Sequence, residues 1–332
     1  MIRSTAIRFH ARLPAMLVAA AQIAPVLLDR RATLAKVIAR VDEAAAAGCE
    51  LVCFPEILVP GYPVWLERTG GARFNDAAQK RIFARYLDQA VDPARGDLDE
   101  VRAAARRGRI AVVLGIAERA RDRGGHTIYC TRAYIDAAGE LGSLHRKLMP
   151  TYEERLVWGT GDGAGLVTHP VGPFTLGALN CWENWMPLAR AALHAQGEDL
   201  HVALWPGCRR NTEGITPFIA FEGRSYVISV SGLLRARDIP EDTPLRAAIL
   251  QGEDELLLDG GTAIAGPDGA WVVPPVGAEE TLVIADLDPR RVLEERQNFD
   301  PSGHYARPDV LELRVDRTRQ RLATFLDEPA AR

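Results

Sequence analysis

The sequence predicts a single α/β domain, and three observations carry that prediction. Short apolar, β-patterned runs alternate with helical periodicities along nearly all of the 332 residues. The first unit, residues 16–54, reads as strand, helix, strand, and a crossover of that length joins parallel strands. No internal repeat, low-complexity segment or linker divides the chain. With 47% hydrophobic and 25% charged residues, the composition is that of an ordinary globular protein with ample material for a core.

The N-terminal stretch has two readings. Arg3, Arg8 and Arg12 precede LPAMLVAAAQIAPVLL, which has the outline of a secretory leader. Gln22 and Pro25 interrupt that run, leaving it short of a membrane span, and residues 16–23 read better as a buried strand. Residues 1–15 are then an extension, 16–313 the domain and 314–332 a tail. Leu34, Val37, Ile38, Val41 and Ala45 recur at helical spacing, and Gly48 ends that helix. A second strand over 50–54 closes on Pro55 and Glu56. Residues 60–73 form a loop, followed by helices over 77–90 and 97–107. Strands follow over 110–117 and 127–135, with a turn over 136–142. After an irregular, Gly-rich crossing at 150–165, the run 174–179 ends in Asn180. Strands at 201–205 and 226–231 flank a helix ending at Gly223. Residues 235–254 read as a polar surface loop. Closing strands over 260–273 and 281–286 surround a turn at 267–269, and 289–298 is a short helix.

Several function classes are excluded. A formal charge of −4 gives no electrostatic case for nucleic acid or an anionic membrane. Five scattered cysteines argue against a disulfide framework and for a reducing compartment, so a cytoplasmic protein is expected. The histidines form no H-x-H or H-x-x-x-H pair and the cysteines no C-x-x-C, so no protein-bound metal is predicted. The Gly-rich run 159–165 lacks the Lys-Ser/Thr ending and the strand–helix context of a phosphate loop.

The informative stretch is LGALNCWENWMP, residues 176–187. It reads as strand, sharp turn, helix, with Cys181 at the turn. A thiol there is expected to feel the partial positive charge of unpaired helix N–H groups, which favours the nucleophilic thiolate. His194 lies too far along the same helical stretch to activate it, and His304 has no predicted place near it. Glu56 and Lys147 also follow β-patterned segments, and ligand sites of α/β sheets lie outside the carboxyl ends of strands. A thiol attacking an electrophilic carbon needs a base, for which a partly desolvated glutamate serves. Charge developing on the attacked group needs donors, for which Lys147 and the Trp182 backbone N–H are suited.

FPEILVPGYP, HRKLMPTYEERLVWGTGDG and NCWENWMP resemble the three signature segments of the nitrilase family within the carbon–nitrogen hydrolase superfamily. ALHAQGEDLHVALWPG and GHYARPDVLEL extend the resemblance to about residues 16–313, in the family's order. It implies Glu56 as general base, Lys147 as cationic stabiliser, Cys181 as nucleophile and Glu154 as the second glutamate holding Lys147 and the substrate or water. Glu153 is then solvent-facing and Glu183 structural. Cys-Trp-Glu resembles true nitrilases more than amidases or carbamoylases, which remain the alternative. The family implies a four-layer αββα sandwich, a homodimer or larger homo-oligomer, a small-molecule nitrile substrate and no cofactor. Trp182, Trp185 and Trp158 are the expected substrate contacts, with Tyr62 a further candidate. Tyr62 and Trp65 equally suit a subunit contact.

Overall fold

The interrupted apolar run at the N-terminus is the strand Met16–Gln22, buried on both faces. Val18 and Ala20 project into one apolar cluster, Ala19 and Ala21 into another. A strand covered on both sides needs no polar alternation, so its sequence reads as a continuous apolar stretch. The computed structural model describes residues 15–250 and 256–324. The predicted extension 1–15 lies outside the described residues except for its last member, and the tail is described to residue 324.

Two six-stranded mixed sheets form the middle of the molecule. In the first, Met16–Gln22, Leu51–Cys53 and Ala111–Arg119 are parallel, with Val18 opposite Leu51 and Leu51 opposite Ala111. Thr281–Leu287 borders them antiparallel on one side, and Ile128–Ile135 and Leu141–Arg146 follow antiparallel on the other. In the second, Phe174–Asn180, Leu200–Trp205 and Tyr226–Ser231 are parallel, with Leu176, Leu200 and Tyr226 in line. His169–Val171 closes one edge, and Ala263–Ala265 with Trp271–Val273 closes the other.

The sheets pack face to face. Val18, Leu51 and Val113 of the first share one cluster with Leu176, Val202 and Ile228 of the second. Helices Arg30–Ala46 and Asp99–Gly108 cover the outside of the first sheet through Val37, Val41, Val101 and Ala105. Arg209–Gly223 and Pro187–His194 cover the second through Ile215, Ile219, Ala192 and Leu193. The four αββα layers are therefore present, and the periodicities locate most of their members.

Two segments depart from the sequence reading: residues 60–73, read as a loop, contain the short helix Trp65–Arg68, and the segment after Tyr226–Ser231 is structured. The polar segment after Tyr226–Ser231 is not a plain surface loop. Leu233–Arg235 pairs with Leu256–Asp259 in a small separate sheet, and Arg246–Ile249 is helical. Leu234, Ile239 and Ile249 are buried beside Trp65 and Tyr86 in a third cluster. Three apolar residues spread over sixteen positions give no periodicity, so tertiary packing alone discloses them. Among the described residues, no helix is long and apolar enough to cross a membrane.

Gln22, which breaks the apolar run, ties the first sheet to the far end of the chain. Its Oε1 accepts from Thr262 N at 2.9 Å, and its Nε2 donates to Gly277 O at 2.6 Å and Glu279 O at 2.8 Å. Gln22→Leu would strand the buried backbone N–H of Thr262, at a cost of about 1–3 kcal/mol, and leave the carbonyls of the exposed Gly277 and Glu279 to solvent. The variant is expected to unfold at lower urea concentration, by roughly 1–3 kcal/mol in stability. An unchanged midpoint would refute the bridging role.

Candidate active site

Glu56, Lys147, Glu154 and Cys181 converge where the two sheets meet. Glu56 follows a strand of the first sheet and Cys181 a strand of the second, so the crevice lies between two sheets, not at a switch point of one. Both positions are still carboxyl ends of parallel strands, as the sequence pattern requires.

Each segment is shaped to deliver its side chain. Leu51–Cys53 leads through Phe54 and Pro55 to Glu56, and Ile57 beyond it has a φ of +52°. The neighbouring strand allows this path through Gly115: a Cβ there would lie 2.2 Å from Pro55 O and 2.6 Å from Glu56 Cα. Lys147 directly follows Leu141–Arg146 and donates its backbone N–H to Cys130 O at 2.8 Å. The adjoining Arg146 is buried in a bidentate pair with Glu118 and a second pair with Asp122. Glu154 sits in the short 3₁₀ turn Tyr152–Leu156, whose first residue has a φ of +47°. Cys181 has a φ of +43°. Left-handed backbone is uncommon for non-glycine residues, and for a β-branched isoleucine it is an outlier. Of the eight non-glycine residues with positive φ among the described residues, these three are in or within two positions of a member of the cluster.

The ammonium of Lys147 is the hub. It lies 3.0 Å from Glu56 Oε1 and 2.8 Å from Glu154 Oε2, with no solvent exposure. Burial by itself would depress this lysine, but Glu56, Cys181, Cys130 and Glu154 around it reverse the effect and hold it well above the ordinary lysine range. Glu154 Oε2 also accepts from Thr151 N at 2.6 Å, and its Oε1 accepts from Tyr62 OH at 3.1 Å. Burial pushes Glu56 up to about 7, against the pull of Lys147 and with a further push from Glu154. Its Oε1 takes Lys147 and the Cys130 thiol, whereas Oε2 is buried and without a hydrogen-bond partner among the described residues.

Cys181 departs from the expectation drawn from the sequence. It opens the 3₁₀ turn Cys181–Trp185, and the helix proper, Pro187–His194, starts only after Met186. Burial raises the thiol well above its usual range; Lys147 and the Trp182 backbone N–H oppose this, while Glu56 and Glu154 add to it. The resting group is a protonated thiol facing a carboxylate, and a helix terminus does not ionise it. One ligand-type atom from each of Glu56, Glu154 and Cys181 lies within 4.8 Å of the others, a spacing that suits a cation. Lys147 already supplies that charge between the two carboxylates.

The predicted aromatic residues have different fates. Trp182 and Trp185 project outward, 53% and 47% exposed. Trp158 is buried, its ring 5.6 Å from Lys147 Nζ and edge-on to Tyr62, with Nε1 donating to Tyr86 OH. It lines the back of the cluster. Tyr62 is half-buried and bonded to Glu154, and Trp65 is buried against Tyr86, so Trp65 does not offer itself to another subunit. Glu153 is half-buried outside the cluster, one position from Glu154.

Two residues gain a role that the sequence did not disclose. Glu183, expected only to be structural, is a fully buried tie. It accepts from Asn180 N at 2.9 Å, from Leu148 N at 2.6 Å and from His145 Nε2 at 3.1 Å. It thus joins the Cys181 turn to the residue after Lys147. Burial would raise Glu183, but His145 and these N–H donors hold it below the ordinary glutamate range. Cys130 donates its thiol to Glu56 Oε1 at 3.2 Å. A lone cysteine in a β-patterned run carries no signal of this, because the contact spans the sheet.

The Cys130 contact gives a signed prediction. A donor to Glu56 favours its carboxylate form, so Cys130→Ala raises the Glu56 pKa and Cys130→Ser retains it. If Glu56 acts as a base, the acidic limb of kcat/KM moves upward by about half to one pH unit in Cys130→Ala, and activity at neutral pH falls. Coincident limbs for wild type, Ser and Ala variants would remove Cys130 from the site.

A model of the carbon–nitrogen hydrolase family matches residues 17–297. An aliphatic nitrilase of Sinorhizobium fredii is 38% identical over 90% of this chain and 94% of its own length. A bifunctional nitrilase/nitrile hydratase of Nicotiana tabacum is 35% identical over 89% of this chain and 84% of its own. Among solved structures, an amidase from Nesterenkonia sp. shares the fold, with a TM-score of 0.63 at 20% identity over 88% of this chain and 97% of that one. The chain therefore belongs to the carbon–nitrogen hydrolase family, in its nitrilase branch.

Proposed function

We propose that the protein hydrolyses an organic nitrile to the carboxylic acid and ammonia, with Cys181 as the covalent nucleophile. The observation that carries this reading is the buried meeting of Glu56, Lys147, Glu154 and Cys181, with Glu56 Oε2 unpartnered beside the thiol cluster. The names of the relatives support nitriles over amides as substrates.

Glu56 takes the Cys181 proton as sulfur adds to the nitrile carbon, and that proton passes to nitrogen to give a thioimidate. Lys147 and the Trp182 N–H stabilise the nitrogen as charge develops there. Water, deprotonated by Glu56, adds to the carbon. Loss of ammonia with the C–N bond leaves a thioester, and a second water releases the acid and restores the thiol. Breaking C–S instead of C–N at the tetrahedral stage releases the amide. Glu154 acts by holding Lys147 in place, with Tyr62 behind it. A Glu56 near neutrality suits a group that must both accept and return protons. Trp182 and Trp185, exposed on the turn that carries Cys181, favour aryl or extended aliphatic nitriles.

The working protein is proposed as a homodimer or larger homo-oligomer of the cytoplasm. Exposed Trp185, Met186, Leu188, Phe218 and Phe221 lie on adjoining elements outside the second sheet and support self-association. Five unpaired thiols support a reducing compartment.

Nitriles, each matched with its amide, test the reaction through release of ammonia, acid and amide. Wild type is expected to form acid from nitriles and Cys181→Ala to form none; turnover of amides with nitriles untouched would move the protein to the amidase or carbamoylase reading. Because Glu56 works as the carboxylate, kcat/KM is expected to fall as pH drops through about 7, and a flat profile from pH about 5 to 8 would contradict its role as base. Sedimentation should give a dimer or larger, which Leu188→Glu weakens; a wild-type monomer at micromolar concentration would end the assembly proposal.

A further inference from the structure

Behind the Cys181 turn lies a second buried polar group outside the proposed chemistry. Asn184, Glu198 and His201 are fully buried. Asn184 Nδ2 is 2.8 Å from Cys181 O and 3.3 Å from Leu179 O. Carbonyl oxygens only accept, so the amide nitrogen must face them and Asn184 Oδ1 must face the other way, 2.8 Å from His201 Nε2. An amide oxygen also only accepts, which places a proton on Nε2. The other ring nitrogen, Nδ1, is 2.7 Å from Glu198 Oε1. A neutral imidazole protonated at Nε2 would set its Nδ1 lone pair against a carboxylate. That contact is bonding only with a second proton between them.

We propose that His201 and Glu198 share this buried proton and, through Asn184, act as positioning residues that hold the left-handed backbone of Cys181. The pair is neutral overall, which is what a site without solvent tolerates. The strand beneath is fitted to it: a Cβ at Gly177 would lie 2.0 Å from Glu198 Oε1. The groups that face the pair do not compete for the proton. His194 Nε2 is 3.8 Å from Glu198 Oε2, and burial holds His194 below its ordinary range. Arg190 is engaged by Glu222 and by Asn184 O, and Arg296 donates to the backbone oxygen of Glu198. Asp199 accepts from Thr175 N. Among the described residues, the ligand atoms of His194, Glu198 and His201 do not gather at metal-binding spacing.

The elbow part rests on Cys181 being the nucleophile, whereas the proton part does not. Histidine-selective ¹⁵N labelling of the full chain reads the ring nitrogens, with His201→Gln identifying the signal. The expected result is an Nε2 that stays protonated through neutral pH; a neutral ring with its proton on Nδ1 and none on Nε2 would overturn the pairing. Glu198→Gln can donate to Nδ1 of a neutral ring and keep every bond, so kcat should stay within about threefold of wild type. His201→Phe removes the donor to Asn184 and should lower kcat about tenfold or more with KM little changed. Full kcat in a folded His201→Phe, or a Glu198→Gln as impaired as His201→Phe, would overturn the positioning role. Should His201→Phe fail to fold, the ring-nitrogen signals and Glu198→Gln still decide. A wild type inactive on all nitriles and amides would defeat the hydrolase reading, and Cys181 alkylation rates would then compare the elbows.

Discussion

The structure depends on a lysine ammonium that is sealed from bulk solvent. Lys147 is fully buried between Glu56 and Glu154, and a charge in that position persists only if its partners are fixed at bonding distance. Two carboxylates around one ammonium leave one negative charge in excess. Burial raises Glu56 and Cys181 together, Glu154 adds to both and Lys147 opposes it, so the cluster has a place for one further proton. Glu154 and Tyr62 keep Lys147 from collapsing onto Glu56 alone, which leaves Glu56 Oε2 unpartnered among the described residues.

Because the residues come from opposite sheets, the site is only as rigid as the junction between them. The apolar face shared by the two sheets supplies most of that junction. Directional ties supplement it: Glu183 joins the Cys181 turn to the segment after Lys147, and Gln22 joins the first sheet to the segments around Thr262 and Gly277. Left-handed backbone at Ile57, Tyr152 and Cys181 is sustained by these surroundings. Strain of this kind persists only where packing and hydrogen bonds over-determine it. Stability and chemistry thus draw on the same buried polar groups.

The molecule has a dry side and an exposed side around this cluster. Trp158, Tyr86 and Trp65 seal its rear with edge-on rings, and Cys130 fills the space under Glu56. Trp182 and Trp185 stand at the opposite side, half-exposed on the turn that carries the thiol. A desolvated glutamate with a shifted pKa beside a specific charge partner is the pattern that marks catalytic sites.

Much of this was legible in the residues alone. The alternating periods located the parallel strands and covering helices, because a strand buried on both faces and a helix buried on one leave different patterns. The three signature segments singled out Glu56, Lys147, Glu154 and Cys181, because that chemistry confines residue type within each short stretch. Glu183 was identified as structural, but not what it ties together, since Leu148 and His145 lie more than thirty residues away. The ionisation of Cys181 was misjudged: sequence shows a thiol before a helix, whereas burial and the surrounding charges fix its proton. Cys130, the buried segment around Ile249 and the orientation of Trp158 likewise waited on the fold. The sequence by itself determined the elements and the reactive groups, since these follow from local pattern and chemical type. Only the tertiary structure decided protonation and orientation, because desolvation and hydrogen bonding depend on neighbours that the chain order does not reveal.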